Sequence, residues 1–299
     1  MHYIYCLFIS LVQVKLLPAF SLMKNFSSSK KKAQIWVVKN HNFVTHSDQL
    51  AIEEPLEIQL TFPKKTIAIT MRTPGADFDL VAGFLYSEGV IKHREDISKI
   101  SYCVDPKIDG EQRQNIVNIT LKSELTPNLK TLERHFFTTS ACGVCGKASI
   151  ESLQIKGFLA IPLGLEVSTE IIYSLPDKLN TAQRVFKSTG GLHAAGLFND
   201  QGELLKLRED VGRHNALDKL IGSELLAGQL PLNNLIVIVS GRASFEILQK
   251  CITVSVPIVC SVSAPSSLAV EIAKKFNITL VGFLRDKKFN IYSGAERIK

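Results

Sequence analysis

Hydrophobic positions alternate with polar ones in the first half of the chain and form continuous apolar runs in the last third. Residues 56–62 alternate, and residues 66–70 follow a short turn, which predicts an antiparallel hairpin. Residues 77–87 carry apolar side chains at helical spacing and end before Gly89. The first half therefore predicts a small sheet with one helix across it. Further strands are expected at residues 35–38, 97–104 and 116–121.

The last third of the chain alternates strands with helices. Residues 235–239 form an unbroken apolar run, typical of a strand covered on both faces, and a helical pattern follows at residues 243–252. This alternation predicts an α/β domain with a mainly parallel sheet. In the preceding helix, expected at residues 168–187, Pro176 predicts a kink or a break. The other expected elements are strands at residues 204–207, 258–262, 278–284 and 289–292, and helices that end at Leu226 and Phe276.

These patterns divide the chain into four parts. Residues 1–32 form an apolar and then Ser/Lys-rich leader, residues 33–137 a smaller α+β N-terminal domain, residues 138–150 a cysteine loop expected to be mobile, and residues 151–299 the α/β domain. A short helix is expected at residues 126–137. The leader lacks the charged start and the small-residue cleavage site of a secretory signal. We interpret residues 1–22 as an over-extended reading frame or a dispensable tail, with a membrane anchor as the alternative.

Composition and charge narrow the function classes. The chain has 299 residues, of which 45% are hydrophobic and 21% charged, which argues against disorder and against a polytopic membrane protein. The formal net charge of +7 favours anionic partners. Because the basic residues are spread along the chain, apart from residues 30–32, we expect no nucleic-acid groove. Six cysteines are too few for an extracellular disulfide framework, so a cytoplasmic location is expected.

One cysteine pair stands apart from the others. Residues 140–147 read Ser-Ala-Cys-Gly-Val-Cys-Gly-Lys, which places Cys142 and Cys145 at CxxC spacing with a glycine after each. Such a loop can bind a metal, exchange a disulfide or carry sulfur on a thiolate. A structural zinc site needs four ligands and no second pair exists, while the glycines disfavour a thioredoxin-type helix start. Lys147 favours a reactive thiolate, so we prefer sulfur carriage, with a zinc-stabilised binding module and a thiol–disulfide oxidoreductase as alternatives.

The ends of three predicted strands suit an anionic ligand. In an open α/β sheet, ligands bind beyond the carboxyl ends of the strands, where helix N-termini attract phosphate. We predict a nucleotide-like ligand at these ends, with the alternative that Ser240 and Ser263 are only helix caps. The candidate ligand-binding residues at these ends are Gly241, Arg242, Ser263, Phe283, Leu284, Arg285, Asp286, Lys287 and Lys288.

Several longer motifs carry a resemblance to a known family. They include residues 71–75 (Met-Arg-Thr-Pro-Gly), 139–146 (Thr-Ser-Ala-Cys-Gly-Val-Cys-Gly) and 209–215 (Glu-Asp-Val-Gly-Arg-His-Asn). Matching segments also occur at residues 79–89, 190–195, 239–243 and 289–292. With these motifs in collinear order over residues 53–292, the sequence resembles the FdhD/NarQ family, the sulfur carriers required for formate dehydrogenase activity.

The resemblance implies a fold, a reaction and partners. It implies a cytidine-deaminase-like layered C-terminal domain and a cytoplasmic homodimer. A cysteine desulfurase would load sulfur as a persulfide, and the sulfur would pass to the molybdenum of a bis(molybdopterin guanine dinucleotide) cofactor before insertion into the catalytic subunit of formate dehydrogenase. That cofactor would be a transient sulfur acceptor, and no permanently bound cofactor or metal is expected. Neither nucleic acid nor a membrane is expected as a partner.

The resemblance also assigns residues in this sequence. It places the persulfide on Cys142, with Cys145 assisting transfer. It places cofactor contacts on the segment from Phe283 to Lys288, which the strand-end pattern indicates independently. His193 is expected either to line the cofactor groove or to be a satisfied core histidine.

Three further matched positions have open roles. Arg213 and His214 either contact the cofactor or a partner, or cap a helix and pair with Asp210. Arg72 precedes a Pro-Gly turn and is expected to be structural.

Overall fold

The computed structural model describes residues 28–122 and 157–299. The leader at residues 1–22, the expected helix at residues 126–137 and the cysteine loop at residues 138–150 lie outside the described residues. Within the described ranges, the chain forms a two-stranded ribbon, a four-stranded sheet and a six-stranded sheet, with helices against the two larger sheets. This confirms the predicted mixed α/β class. No helix among these residues is both long enough and apolar enough to cross a membrane.

The ribbon consists of β1 (Lys30–Lys39) and β2 (Asn42–Ala51), which pair antiparallel along their whole length. Asn40 and His41 have φ angles of 50° and 63°, as a tight two-residue hairpin turn requires. The sequence pattern predicts only the middle of β1 and misses β2, because polar residues interrupt the apolar positions of β2. β1 begins at Lys30, so the lysines assigned to the end of the leader belong to a strand.

The four-stranded sheet and one long helix follow the ribbon. The elements in chain order are β3 (Glu54–Thr61), β4 (Lys64–Arg72), α1 (Asp77–Ser87), β5 (Ile97–Tyr102), the short α2 (Gly110–Arg113) and β6 (Ile116–Leu121). The strand order is β4-β3-β6-β5. Leu56, Ile58 and Leu60 alternate along β3 and are buried in one core with α1. The predicted hairpin and the helix across the sheet are confirmed.

The six-stranded sheet is built from the second described range. The elements are α3 (Thr169–Ala182), α4 (Arg184–Thr189), β7 (His193–Phe198), β8 (Leu204–Asp210), α5 (Arg213–Leu226), β9 (Ile236–Val239), α6 (Phe245–Thr253), β10 (Ile258–Ser261), α7 (Ser267–Lys275), β11 (Thr279–Arg285) and β12 (Lys288–Ser293). The strand order is β12-β11-β10-β9-β7-β8. The alternation predicted for the last third is therefore confirmed.

This sheet is mixed rather than mainly parallel, which corrects the prediction. β9, β10 and β11 are parallel neighbours, but β7 is antiparallel to both β8 and β9, and β12 is antiparallel to β11. Short turns join β7 to β8 and β11 to β12, and a short turn permits only antiparallel pairing. The strand order does not establish cytidine-deaminase-like layering, which stays a prediction, as do the domain boundaries.

Helices cover both faces of the six-stranded sheet, as its continuous apolar strands predict. Val239 of β9 packs in one core with α5, α6 and α7, and its neighbour Ile238 packs in another with α3. A Cβ at Gly196 of β7 would lie 2.6 Å from Leu179 Cδ1 of α3, so a larger residue there would displace the Leu179 side chain. Small residues weaken the strand signal, which is why the sequence pattern misses β7.

Two glycines bring α1 against α5 and so connect the two larger sheets. A Cβ at Gly83 would lie 1.9 Å from the carbonyl oxygen of Asp218, and a Cβ at Gly222 would lie 1.8 Å from that of Asp79. Both contacts are with backbone atoms, which cannot move aside as a side chain can. Any larger residue at either position would therefore push the helices apart.

The helical segment that contains Pro176 breaks later than predicted. α3 continues through Pro176 to Ala182, and the break falls at Gln183, whose ψ of 103° is extended. The first three amides of α4 donate hydrogen bonds to the carboxylate of Glu209 in β8. This contact from another part of the chain caps a new helix, and it is invisible to a local pattern.

Candidate functional site

Strand ends from distant parts of the sequence meet at one edge of the six-stranded sheet. Strands β8 to β11 finish at this edge, and β7 runs in the opposite direction, so β7 begins there with His193. His193 lies opposite Asp210 in the register of β7 and β8. On its other side, the Ala194 amide donates to Ser240 Oγ at 2.9 Å, just beyond the end of β9. We call this boundary the strand-end edge.

Hydrogen bonds connect the neighbouring positions of the strand-end edge. Ser261 Oγ, at the end of β10, donates to the carbonyl oxygen of Gly241 at 2.7 Å. The Ser263 amide donates back to Ser261 Oγ at 3.2 Å, and the Ser263 carbonyl accepts from the Phe283 amide at 3.1 Å. The strand-end edge therefore holds, one after another in space, Gly241, Ser263 and Phe283, which are predicted from three separate strand ends.

Neither Ser240 nor Ser263 caps a helix, so the alternative role predicted for them is wrong. α6 begins after Ser244, and α7 begins after Ser266, whose Oγ accepts a hydrogen bond from the amide of Ala269 at 3.2 Å. The caps lie further along the chain because short loops separate the strand ends from the helices. Ser240 Oγ instead ties β9 to β7, as described above.

The predicted segment from Phe283 to Lys288 forms the β11–β12 turn and the irregular residues before it. Asp286 and Lys287 both have a φ of 53°, which closes a tight turn. Phe283 has the same positive φ, at a break in the register of the two strands. A positive φ is uncommon for a bulky residue, and irregularities of this kind redirect side chains near functional sites.

Exposure separates the residues of this segment. The exposed side chains are those of Phe283, Arg285, Asp286, Lys287 and Lys288. Leu284 differs, because it is 1% exposed and packs in the core with α3. Its side chain belongs to the core and is not part of the exposed surface of this segment. Arg242, at the neighbouring strand end, is exposed.

A cationic cluster lies at the start of α5, beside the ends of β7 and β9. A Cβ at Gly241 would lie 3.2 Å from His193 Nδ1 and 3.4 Å from Arg213 Cδ, so these three residues meet at one point. Within the described ranges, Arg213 forms no hydrogen bond or ion pair, and its Nε is buried without a partner. Burial lowers the pKa of His193, and the charges of Arg213 and His214 lower it further.

His214, next to Arg213, has partners on α6. Its Nε2 lies 2.9 Å from Glu246 Oε2 and 3.4 Å from Ser244 Oγ. The hydrogen bond from His214 holds the pKa of the Glu246 carboxyl below its usual range. His214 thus links the start of α5 to the start of α6, whereas the neighbouring Arg213 has no such link.

Asp210 pairs with neither Arg213 nor His214, so that predicted alternative is wrong. Its carboxylate lies 2.7 Å from Lys219 Nζ and accepts a hydrogen bond from Asn215 Nδ2 at 3.1 Å. Both partners point inward from α5, Asn215 in its first turn and Lys219 in its second. Sequence reasoning misses Lys219, whose only signal is a lysine within an apolar stretch of helix.

The segment around Arg72 completes this buried network. The Thr73 amide donates to Asp210 at 3.2 Å, and the Thr73 carbonyl accepts from Lys219 Nζ at 2.8 Å. The guanidinium of Arg72 is fully buried and donates two hydrogen bonds of 3.1 Å to the carboxylate of Asp77. These contacts agree with the structural role expected for Arg72.

The described cysteines are poor candidates for sulfur chemistry. Cys251 and Cys260 are buried, and burial raises the pKa of the Cys251 thiol to about 12, which disfavours the thiolate. Cys103 is half-buried and carries a free thiol. The described ranges hold no group of three or more His, Cys, Asp or Glu side chains able to bind a metal ion. The predicted pair, Cys142 and Cys145, lies outside them.

Comparison with known sequences finds a family model whose matched residues include the strand-end edge. The model of the FdhD/NarQ family matches residues 51–299. A protein from Streptomyces avermitilis named sulfur carrier protein FdhD is 51% identical over 259 residues, which cover 85% of this chain and 90% of that relative. A protein of the same name from Sulfurisphaera tokodaii is 46% identical over 269 residues, which cover 90% of this chain and 98% of that relative.

A solved structure also resembles this fold. It is the crystal structure of a protein from Desulfotalea psychrophila described as a formate dehydrogenase accessory protein. The two structures align with a TM-score of 0.70 at 27% sequence identity, over 91% of this chain and 100% of that one.

Proposed function

This chain belongs to the FdhD/NarQ family, and on that premise we propose that it is a sulfur carrier. It accepts sulfur from a cysteine desulfurase as a persulfide on Cys142. It then transfers the sulfur to the molybdenum of bis(molybdopterin guanine dinucleotide), before that cofactor enters formate dehydrogenase. The observation that carries the proposal is that one chain combines a CxxC pair with a sheet edge lined by exposed cations.

The two cysteines account for the sulfur and the electrons of the reaction. The Cys142 thiolate attacks the terminal sulfur of the desulfurase persulfide, the S–S bond of that persulfide breaks, and the desulfurase thiolate leaves. The Cys145 thiolate then attacks Cys142 Sγ, and the terminal sulfur departs as hydrosulfide to the acceptor. A Cys142–Cys145 disulfide remains, and a cellular thiol reductant returns it to two thiols.

The strand-end edge supplies the chemistry that an anionic acceptor requires. Guanidinium and ammonium groups bind phosphate, an exposed aromatic ring stacks on a nucleobase, and a carboxylate accepts hydrogen bonds from the N–H groups of guanine. Phe283 presents a ring that is 38% exposed, and Asp286 lies three residues further on. The exposed cations of the edge are Arg242, Arg285, Lys287 and Lys288.

The test is persulfide loading followed by mass spectrometry. We expect the native chain, incubated with a cysteine desulfurase and cysteine, to gain one sulfur atom on Cys142. The Cys142→Ala variant should gain none at that position, and Cys145→Ala should load but release its sulfur slowly. Cys103→Ala is the matched control and should load normally, because Cys103 lies on the four-stranded sheet side of the molecule.

Other results of the same experiment would contradict the proposal. Stoichiometric zinc in the freshly purified chain, lost in Cys142→Ala, would favour the zinc-stabilised binding module. Reduction of a protein disulfide substrate, without any persulfide on Cys142, would favour the thiol–disulfide oxidoreductase.

The proposed carrier acts as a homodimer, and the β1–β2 ribbon supports this. Trp36, Val38 and Phe43 lie on one face of the ribbon and are 69%, 56% and 68% exposed. A two-stranded ribbon is only marginally stable in water, and a second copy would cover this apolar face. Light scattering after size exclusion should give a dimer for the native chain and a monomer for Phe43→Ser. Val104→Ser, at an 81% exposed position outside the ribbon, is the control. A monomeric native chain would exclude the homodimer.

A further inference from the structure

The cationic cluster at the start of α5 takes no part in the steps above. We propose that Arg213, together with His193, forms a phosphate-binding subsite on the strand-end edge, separate from the β11–β12 turn. Its ligand is a phosphate or pyrophosphate group. The inference deepens the proposed function and rests on it for the identity of the molecule that carries this group.

The pairing of charges along α5 singles out Arg213. Each other acidic or basic side chain of this helix has a basic or acidic partner within ion-pair distance. These pairs are His214 with Glu246, Asp218 with Lys250, Lys219 with Asp210 and Glu224 with Lys206. Arg213 has none within the described ranges, although its Nε is buried. A buried guanidinium nitrogen without a partner is costly, and an anionic ligand would satisfy it.

Gly241 brings Arg213 and His193 together beyond the end of β9. A Cβ at Gly241 would contact His193 Nδ1 and Arg213 Cδ at 3.2 and 3.4 Å. Gly241 is not among the glycines with a positive φ, so its backbone conformation does not require glycine. The absence of a side chain therefore allows His193 and Arg213 to lie side by side against the backbone of Gly241.

The surroundings favour an anion over a cation. The two carboxylates of the cluster are already engaged, Asp210 by Lys219 and Glu246 by His214. α5 has 14 residues, and no side chain caps its N-terminus. Its first amides and its dipole therefore add to the positive potential next to Arg213.

The subsite and the turn lie at different places along the edge. The hydrogen-bonded strand ends of β9 and β10, with Gly241 and Ser261, stand between the cationic cluster and Phe283. Substituting the basic residues of one cationic region should therefore leave the other region able to bind an anion.

The test is isothermal titration of the full chain with inorganic pyrophosphate and with guanosine diphosphate. Arg213→Gln should raise the dissociation constant for pyrophosphate by at least about tenfold, since hydrogen bonds between charged groups are the strong ones. Arg213→Lys should weaken binding less, because the charge remains and the planar fork is lost. His193→Asn should weaken it by about threefold. Arg94→Gln, at an exposed position far from the edge in the fold, is the matched control.

The outcomes separate the subsite from the proposed function. Weaker binding of both probes by Arg213→Gln supports a nucleotide ligand, and weaker binding of pyrophosphate alone supports a free anion. Unchanged affinity of Arg213→Gln for pyrophosphate overturns the subsite. If Arg285→Gln nevertheless weakens the binding of guanosine diphosphate, the proposed acceptor site at the β11–β12 turn is still supported. If Cys142 never gains sulfur but Arg213→Gln binds pyrophosphate more weakly than the native chain, the proposed sulfur-carrier function is contradicted and the subsite is supported. If the native chain loads sulfur but binds neither probe, the subsite is overturned, while the proposed persulfide on Cys142 is still supported.

Discussion

The helix α5 carries charged side chains in two opposite situations. In its buried part, Lys219 lies 2.7 Å from Asp210, and Asp218 lies 2.8 Å from Lys250. At its start, Arg213 has no partner within the described ranges. Breaking a buried pair is costly, so the inward charges hold the fold together. The difference shows that one helix serves both the scaffold and the strand-end edge, and that pairing distinguishes the two roles where residue type does not.

The largest effect is expected from Lys219→Met, which keeps the length of the side chain and removes its charge. Asp210 would lose its cation, and the free energy of unfolding should fall by about 3–5 kcal/mol. Urea denaturation followed by circular dichroism measures this. A loss below about 1 kcal/mol would show that hydrogen bonds to Asp210 suffice without the cation. In that case the buried charges would not differ from Arg213 in their structural role.

A second large effect is expected where α5 meets α1. In Gly222→Ala, the new Cβ would lie 1.8 Å from the carbonyl oxygen of Asp79, so the helices must separate. The free energy of unfolding should fall by about 1–3 kcal/mol or more. Gly164→Ala is the control, because a Cβ there meets no atom within 4 Å. Equal stability of the two variants in urea would contradict the close helix contact.

Arg213→Gln is expected to have a small effect on stability. No bond within the described ranges is lost, so the free energy of unfolding should change by no more than about 0.5 kcal/mol. The same urea experiment measures this beside Lys219→Met. A loss as large as that of Lys219→Met would make Arg213 part of the scaffold and remove the contrast between the two ends of α5.

The smallest effect is a pH dependence from His193. Burial, then the charges of Arg213 and His214, lower its pKa below the ordinary value of 6.5, while Asp210 acts in the opposite direction. The unfolded chain therefore binds the proton first, and the free energy of unfolding falls as the pH drops from 6.5 toward the lowered pKa. Arg213→Gln should raise the pKa of His193 and reduce this fall. Proton NMR of the His193 ring measures the shift, and an unchanged pKa would contradict the contact.

Local patterns in the sequence are sufficient for much of the secondary structure. The alternation in β3 and the helical spacing in α1 are visible locally, because one face of each element is buried in a single core. β7 is missed, since its glycine and alanines lack the β-branched and aromatic side chains that are typical of a strand. The break at Gln183 is misplaced, because the cap that causes it comes from Glu209, in another strand.

The candidate site divides in the same way. The strand ends with Gly241, Ser263 and Phe283 are predictable, because successive strands of an α/β domain present their carboxyl ends at one edge. Their order along that edge depends on the order of the strands in the sheet, and the burial of Leu284 occurs where the register of β11 and β12 is irregular. The motif at residues 209–215 is part of the family resemblance, but a linear motif does not specify which of its side chains point into the core.

The sequence alone determines that the chain is a mixed α/β protein with a CxxC pair and anion-suited strand ends, since periodicity and residue chemistry are local properties. Only the tertiary structure decides which charged residues are paired. Asp210, Lys219 and Asn215 point into the core, whereas Arg213, in the same stretch of chain, meets His193 and Gly241 from other strands. Pairing depends on distances between elements far apart in sequence, and these are fixed only when the helices and sheets pack.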